Sequence, residues 1–285
     1  MTRALHISDP HFGTQQQPVL DALRALVAHH DPEVVLLGGD ITQRARGWQF
    51  KAARRFMDSL GKPFVAVPGN HDIPLYNLVA RLFDPYGNYR RSFGANREPV
   101  YESESLLVIG VDTTRRYRHK HGELSARQVD RVARRLREAR SKQLRVVMLH
   151  HPLVAAVESD QTNLARGREA AMRAWVDAGA DILLGGHIHL PYVMPLPAWL
   201  SGTGTWAVQA GTAVSHRVRG GVPNSVNVLD WRPDLPGRIC RLERWDFLAA
   251  AGEFVPAAQH ELVLAQAIHS ASPSHPAVPH LALGR

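Results

Sequence analysis

Cysteine occurs once in the 285 residues, at Cys240, so no intrachain disulfide can form and nothing points to an oxidising compartment. A buried thiol in a strand is the reading of that residue. Lysine is almost as scarce: of 34 basic residues only Lys51, Lys62, Lys120 and Lys142 are lysine, and the rest are arginine. No apolar run approaches the roughly 20 residues needed to cross a bilayer. The strand-like start reaches polar residues by Ser8 and Asp9, which leaves no room for a signal peptide. The expectation is a soluble protein of the cytoplasm. What is abundant points elsewhere: 45% hydrophobic against 21% charged residues exclude a disordered chain, 26 acidic residues leave a formal charge of +8, and there are 16 histidines. Such a surface favours anionic partners, whether phosphates, nucleotides, nucleic acid or acidic lipid.

Short apolar runs alternate with helical patterns, as in stacked β-α units around a central sheet. Strands are predicted at Arg3–Ile7, Val34–Gly38, Phe64–Val67, Arg145–Leu149 and Ile182–Leu184, with a hairpin at Val100–Glu102 and Leu106–Val111. Helices are predicted at Pro18–His30, Trp48–Leu60, Ser125–Arg140 and Arg168–Ala178. The segment Leu82–Pro99, rich in Gly, Pro, Asn and aromatics, reads as a long ordered loop, and from Pro191 onward the chain reads as β-rich, with strands near Trp206–Gln209, Ser225–Asp230 and Arg238–Trp245. One domain over residues 1–268 is expected, followed by a flexible Ser-, Pro- and His-rich tail over residues 269–285. The arginine-rich helix carries Val129, Val132, Ala133 and Leu136 at helical spacing, so its arginines fall mostly on a solvated face.

Five times an apolar strand runs directly into residues of metal-ligand type. These are Ser8-Asp9-Pro10-His11, Gly39-Asp40, Gly69-Asn70-His71-Asp72, His150-His151-Pro152 and Gly186-His187-Ile188-His189. Ligands of open α/β sheets bind at the carboxyl ends of the strands, so five such clusters can converge on one sheet edge. In extended backbone, residues two apart share a face, which would aim Asp9 with His11, and His187 with His189, into one pocket. Asp9, His11, Asp40, Asn70, His150, His187 and His189 offer two carboxylates, one amide and four imidazoles. That set exceeds the three or four protein ligands of a zinc site and points to two metal ions, with Asp40 as the natural bridge. Without a thiolate among them, mixed N/O ligation suits Mn, Fe, Zn or Co.

The motifs D-x-H, G-D, G-N-H-D, H-H-P and G-H-x-H, in this order from about Leu5 to about Gly211, resemble the calcineurin-like metallophosphoesterase family. The resemblance implies an α/β fold, a four-layer αββα sandwich of two mixed β-sheets flanked by helices. It implies Asp9, His11, Asp40 and His189 on one divalent metal ion, and Asp40, Asn70, His150 and His187 on a second. It further implies catalytic roles for His71, facing the scissile phosphate, and Asp72, orienting it, with a metal-bridging hydroxide attacking phosphorus. His151 is open between a supporting and a catalytic role.

Within the family the likeness is to bacterial phosphodiesterases of the cyclic-nucleotide and glycerophosphodiester type. His121-Gly122-Glu123-Leu124-Ser125 resembles the cyclic AMP enzyme locally, although Ser125 and Gln128 also form a helix capping box. Arg44, Tyr89, Arg217 and Arg219 are the candidate contacts to a small phosphodiester substrate: guanidinium for phosphate oxygens, an aromatic ring for a base. Alternatives are a nucleotide-sugar lipid pyrophosphatase, hinted at by the apolar stretch Val193–Leu200, a nuclease, and a non-catalytic binding scaffold.

Overall fold

The apolar runs become strands buried on both faces. In the computed structural model, which describes residues 1–197, 199–200 and 204–265, every residue is buried in Val34–Leu37, Leu106–Val111, Leu144–Leu149 and Ile182–Gly185. Continuous apolar strands are what a parallel sheet covered on both sides requires.

Two mixed six-stranded sheets result. The first has the order β12 (Glu253–Val263), β11 (Ile239–Leu248), β10 (Ser225–Trp231), β1 (Thr2–Ile7), β2 (Val34–Leu37) and β3 (Phe64–Ala66). In it β1, β2 and β3 are parallel, and β10, β11 and β12 antiparallel to their neighbours. The second has the order β4 (Val100–Glu102), β5 (Leu106–Val111), β6 (Leu144–Leu149), β7 (Ile182–Gly185), β9 (Trp206–Gln209) and β8 (Tyr192–Pro195). Its four central strands are parallel and its two edges antiparallel.

Three apolar clusters correspond to the three junctions of a four-layer sandwich. One joins the first sheet to α1 (Gln17–His30) and α2 (Gly47–Ser59), through residues such as Leu23, Phe50, Leu5 and Val35. Another joins the second sheet to α5 (Ala126–Arg137) and α6 (Arg168–Asp177), around Val132, Trp175 and Leu149. The third, with Leu36, Val108, Val146, Leu184 and Cys240, lies between the sheets. Cys240 is fully buried on β11, as expected of a lone thiol. α5 starts at Ser125, which accepts from Gln128 N, and turns Val129, Val132, Ala133 and Leu136 inward; of its outer arginines, Arg131 pairs with Glu98 and Arg135 with Glu102.

One expectation is corrected and another extended. The segment Leu82–Pro99 is not a long loop: it holds the end of α3 (Leu78–Phe83) and all of α4 (Gly87–Phe93). Tyr89 and Phe93 stack on one another and both meet Phe50 of α2 edge-on. Tertiary packing thus imposes helix on a composition that reads as a loop. At the other end the β region continues past Trp245 into β12, whose Pro256 sits opposite Trp245 beside a register shift. β12 is an edge strand, where a proline's missing N–H costs no ladder bond. The stretch expected to form a tail, residues 269–285, lies outside the described residues.

One buried histidine of the sheet makes stability pH-dependent. His6 on β1 is fully buried, its Nδ1 lying 3.4 Å from Asn227 Nδ2, and burial pushes its pKa down to about 3. The unfolded chain takes up this proton near its ordinary value of about 6.5, the folded chain only near 3, so stability is full above the first value and is lost as pH falls toward the second. Tm scanned from about pH 7 to about pH 4 is expected to fall, and His6→Asn to flatten part of that slope.

Candidate metal centre and catalytic cleft

The parallel strands of both sheets end on the same side, and the five polar motifs follow β1, β2, β3, β6 and β7 there. Their backbone is not extended. Asp9, His11, Asp40, His187 and His189 have φ of 52°, 43°, 45°, 75° and 58°. Left-handed backbone costs a non-glycine residue about 1–3 kcal/mol, and such strain persists only where surroundings impose it. Here Asp9 N donates to Gly39 O (3.1 Å), His11 N to Asp40 O (3.0 Å), and His187 N to the Asp9 carboxylate (3.0 Å). Ligand sharing by alternation along an extended strand is therefore corrected. Asp9 and His11 do meet, but through a left-handed turn, and His187 and His189 go to different groups. Gly69 shows how closely the loops approach: a Cβ there would strike Asp40.

The first group is Asp9, His11, Asp40 and His189. His11 Nε2 lies 3.3 Å from His189 Nε2, 3.7 Å from Asp9 Oδ1 and 3.7 Å from Asp40 Oδ2, and His189 Nε2 lies 3.4 Å from Asp9 Oδ1. Donor atoms about 2.1 Å from a common cation would be about 3.0–3.5 Å apart, near the observed spacing. The His189 tautomer is fixed, because Nδ1–H faces the Arg217 carbonyl at 2.8 Å, leaving Nε2 with its lone pair.

The second group is His150, His151 and His187, with the other oxygen of Asp40 beside it at His150. His150 Nδ1 donates to Gly38 O (2.8 Å), which turns its Nε2 to within 3.2 Å of Asp40 Oδ1. His150 Nε2, His187 Nε2 and Asn70 Oδ1 are buried without any hydrogen-bond partner. Orphaned atoms of this kind, all of them metal-donor types, fit a cation that would satisfy them. His151 lies beside His150 and His187, but both its nitrogens are committed: Nε2 donates to Lys120 O (3.0 Å) and Nδ1 accepts from the Thr113 hydroxyl (2.7 Å). Its role is to hold up the neighbouring loop.

Charge follows the same division. Burial alone would raise the Asp40 carboxyl, but His150 beside it holds it well below the usual carboxylate range. Burial likewise opposes charge on His150, yet the contact with Asp40 raises its pKa to about 9, so a cation at this site would have to displace the proton that Nε2 otherwise turns toward Asp40. Burial keeps His11 and His187 neutral, with lone pairs available.

His71 stands beside this constellation. Its Nδ1 donates to the Gln43 carbonyl (3.0 Å), and Nε2 points back toward Asp40 Oδ2 (4.0 Å) and Arg217 Nη1 (3.4 Å). Arg217 Nη1 also donates to Gln43 Oε1 (3.0 Å), so Gln43 orients both side chains. The expectation that Asp72 orients His71 is corrected. The Asp72 carboxylate accepts from Gly69 N (2.9 Å), Ile41 N (3.0 Å), Thr42 N (2.8 Å) and Thr42 Oγ1 (2.8 Å), clamping the loop after β2 to the loop after β3. Burial, with Asp40 close by, still raises its pKa to about 6. Asp72→Ala leaves three buried N–H groups unpaired, and a loss of about 2–4 kcal/mol in urea unfolding is expected.

The family model of calcineurin-like phosphoesterases matches residues 2–191, which span all five motifs. The chain belongs to this family. Among relatives, a probable cyclic nucleotide phosphodiesterase from Synechococcus sp. is 29% identical over 185 residues, 64% of this chain and 67% of that protein. The 3′,5′-cyclic adenosine monophosphate phosphodiesterase of Escherichia coli is 26% identical over 203 residues, 66% of this chain and 69% of that protein. The fold is similar to a dimetal phosphatase from Danio rerio at TM-score 0.61 and 12% identity, covering 92% of this chain and 98% of that one.

In this phosphoesterase both groups reach an open cleft of about 460 Å³, through Asp40, His187 and His189, and its lining also includes Asn70, His71, His119, Lys120, Asp160, Asn163, Arg217 and Arg219. Of the four expected substrate contacts, Arg217 and Arg219 reach it. Arg219 is tied to Asp160 (2.8 Å) and to Ile188 O (3.0 Å). Arg44 faces a neighbouring groove, over the ring of Tyr76. Tyr89 is a correction: it is 1% exposed, and its hydroxyl donates to Ala66 O, so it has no surface on which a base could stack. The segment from His121 to Ser125 is explained by structure, since Gly122 packs on the His151 ring and Ser125 caps α5. Gln43, His119, Lys120, Asp160 and Asn163 were not foreseen, although they too follow strand carboxyl ends, those of β2, β5 and β6.

Proposed function

We propose that this chain, a metal-dependent phosphoric diester hydrolase, cleaves a cyclic nucleotide or a related small diester in the cytoplasm, at a dinuclear centre held by Asp9, His11, Asp40 and His189 on one side and Asp40, Asn70, His150 and His187 on the other. The observation that carries the reading is Asp40, whose two oxygens face the two groups separately. Two divalent ions there, with Mn, Fe, Zn or Co suited to the mixed donor set, would supply Lewis-acid polarisation of phosphoryl oxygens and water acidic enough to react at neutral pH.

The chain's own residues do the rest. The carbonyls of Gly38 and Arg217 fix the tautomers of His150 and His189. Gln43 holds the His71 ring so that Nε2 faces the cleft, where it can give a proton to the departing alkoxide. Arg217 adds a guanidinium against phosphoryl oxygen. A small substrate is favoured over nucleic acid by the cleft, whose 460 Å³ is of small-ligand size, and by α5, two of whose outer arginines are engaged with Glu98 and Glu102. The names of the relatives support the diester class, and the free, buried thiol of Cys240 suits a reducing compartment.

Hydrolysis of bis(p-nitrophenyl) phosphate in added Mn²⁺, abolished by chelation, tests the reaction. Ranking 2′,3′- and 3′,5′-cyclic nucleotides, glycerophosphodiesters, a nucleotide-sugar lipid and single-stranded DNA by kcat/KM tests the substrate. An inert protein in the first assay overturns the enzyme reading, and DNA at the head of the second overturns the small diester.

A further inference from the structure

A surface helix ordinarily turns its apolar stripe to the protein and its polar side to water. α3 does the reverse. None of its six residues is buried, and Leu78, Val79, Leu82 and Phe83 are 71%, 70%, 55% and 79% exposed. Their spacing puts them on one face of the helix. Tyr76, just before the helix, and Tyr117 are exposed as well. The helix is held instead by polar ties: Asn77 caps Ala80 N (2.9 Å), Arg81 donates to Pro74 O (3.0 Å) and Arg118 O (2.7 Å), and Arg116 donates to Leu82 O (2.8 Å). Contiguous exposed apolar surface of this kind marks a contact with something else.

The charge around it says with what. Arg44 and Arg46 line the groove beside Tyr76, Leu78 and Val79, and Arg81 and Arg116 flank the helix itself. None of these four guanidinium groups has a carboxylate partner among the described residues. A second copy of the chain meeting this face about a two-fold axis would set arginine against arginine. Exposed leucine and aromatic side chains ringed by arginines without carboxylate partners match an interface that is apolar within and anionic at its surface. We propose that α3 and its arginine rim dock onto an anionic lipid bilayer. The same segment that gives Arg116 and Tyr117 to this face gives His119 and Lys120 to the cleft, so docking sets the cleft mouth beside the headgroup layer.

Sedimentation of the full chain with vesicles tests this without any turnover, and so stands apart from the reaction proposed above. Binding is expected to phosphatidylglycerol–phosphatidylcholine vesicles but not to phosphatidylcholine alone, and to weaken with added salt. Leu78→Ser with Phe83→Ser, and separately Arg44→Gln with Arg116→Gln, are each expected to lower partitioning by about tenfold or more. The serine variant should hydrolyse soluble bis(p-nitrophenyl) phosphate at the wild-type rate, which certifies its fold. Equal binding to both vesicle types, no binding to either, or partitioning unchanged in the serine variant overturns the proposal. So does a wild-type dimer by light scattering that the serine variant converts to monomer, since a second copy would then cover the face.

Discussion

Asp40→Asn is expected to lower kcat/KM for bis(p-nitrophenyl) phosphate by at least about 10³-fold. The amide keeps the shape of the carboxylate and can still accept the His71 N–H, which Asp40 Oδ1 takes at 2.8 Å. What it removes is the charge, and with it one of the two oxygens that face His150 and His11 from opposite ends of one group. Asp40 is 1% exposed, and His150 beside it holds its carboxyl well below the usual carboxylate range. The asparagine therefore leaves His150 without the partner that raises its pKa to about 9, and leaves the two donor groups without a shared anion. Metal content by elemental analysis should fall together with activity. Full metal content with activity within tenfold of wild type would contradict the bridging assignment. Asp40→Ala, which also gives up the bond to His71 N, should be no more active and less stable.

The fold was legible where one periodicity dominated. β2, β5 and β7 are fully apolar and β6 is so except for Arg145, and the helices between them carry clean amphipathic stripes, so a sandwich of β-α units followed. α4 was hidden because its helical state depends on Tyr89 and Phe93 packing against Phe50, a contact distant in sequence. β12 was hidden by Pro256, which only an edge position makes harmless. The donor residues of the site were legible because each follows its strand immediately, and chain order alone brings strand ends together. Their division into two groups was not legible from spacing, because left-handed backbone at five donors replaces the alternation that an extended chain would give. Nor was the supporting layer. Gln43, three residues after Asp40, carries no motif, yet its carbonyl and its side chain each hold one functional group. Tyr89 failed for the opposite reason: an aromatic in a loop-like segment reads as a stacking platform until the core claims it.

His71→Gln should separate proton transfer from binding. His71 is 20% exposed in the cleft, and its Nδ1–H is already spent on Gln43 O, so any proton delivered to a leaving group must come from Nε2. Glutamine occupies similar volume and can hydrogen-bond, but it cannot donate a proton outright. The expected loss is therefore graded by the leaving group. For a poor one, such as the alkoxide of a ribose or glycerol diester, kcat should fall by about 10²–10⁴. For p-nitrophenolate, which departs without protonation, the loss should be within about tenfold. Metal content should be unchanged, in contrast to Asp40→Asn, since His71 belongs to neither donor group. A loss of equal size for both leaving groups would place His71 in charge stabilisation rather than in proton transfer. A Gln43 variant offers a check on the same step: Gln43→Ala keeps the carbonyl that holds Nδ1 but frees Arg217, which Gln43 Oε1 holds at 3.0 Å. It should raise KM more than it lowers kcat, because what it loosens is a guanidinium that binds the phosphoryl group in ground and transition states alike.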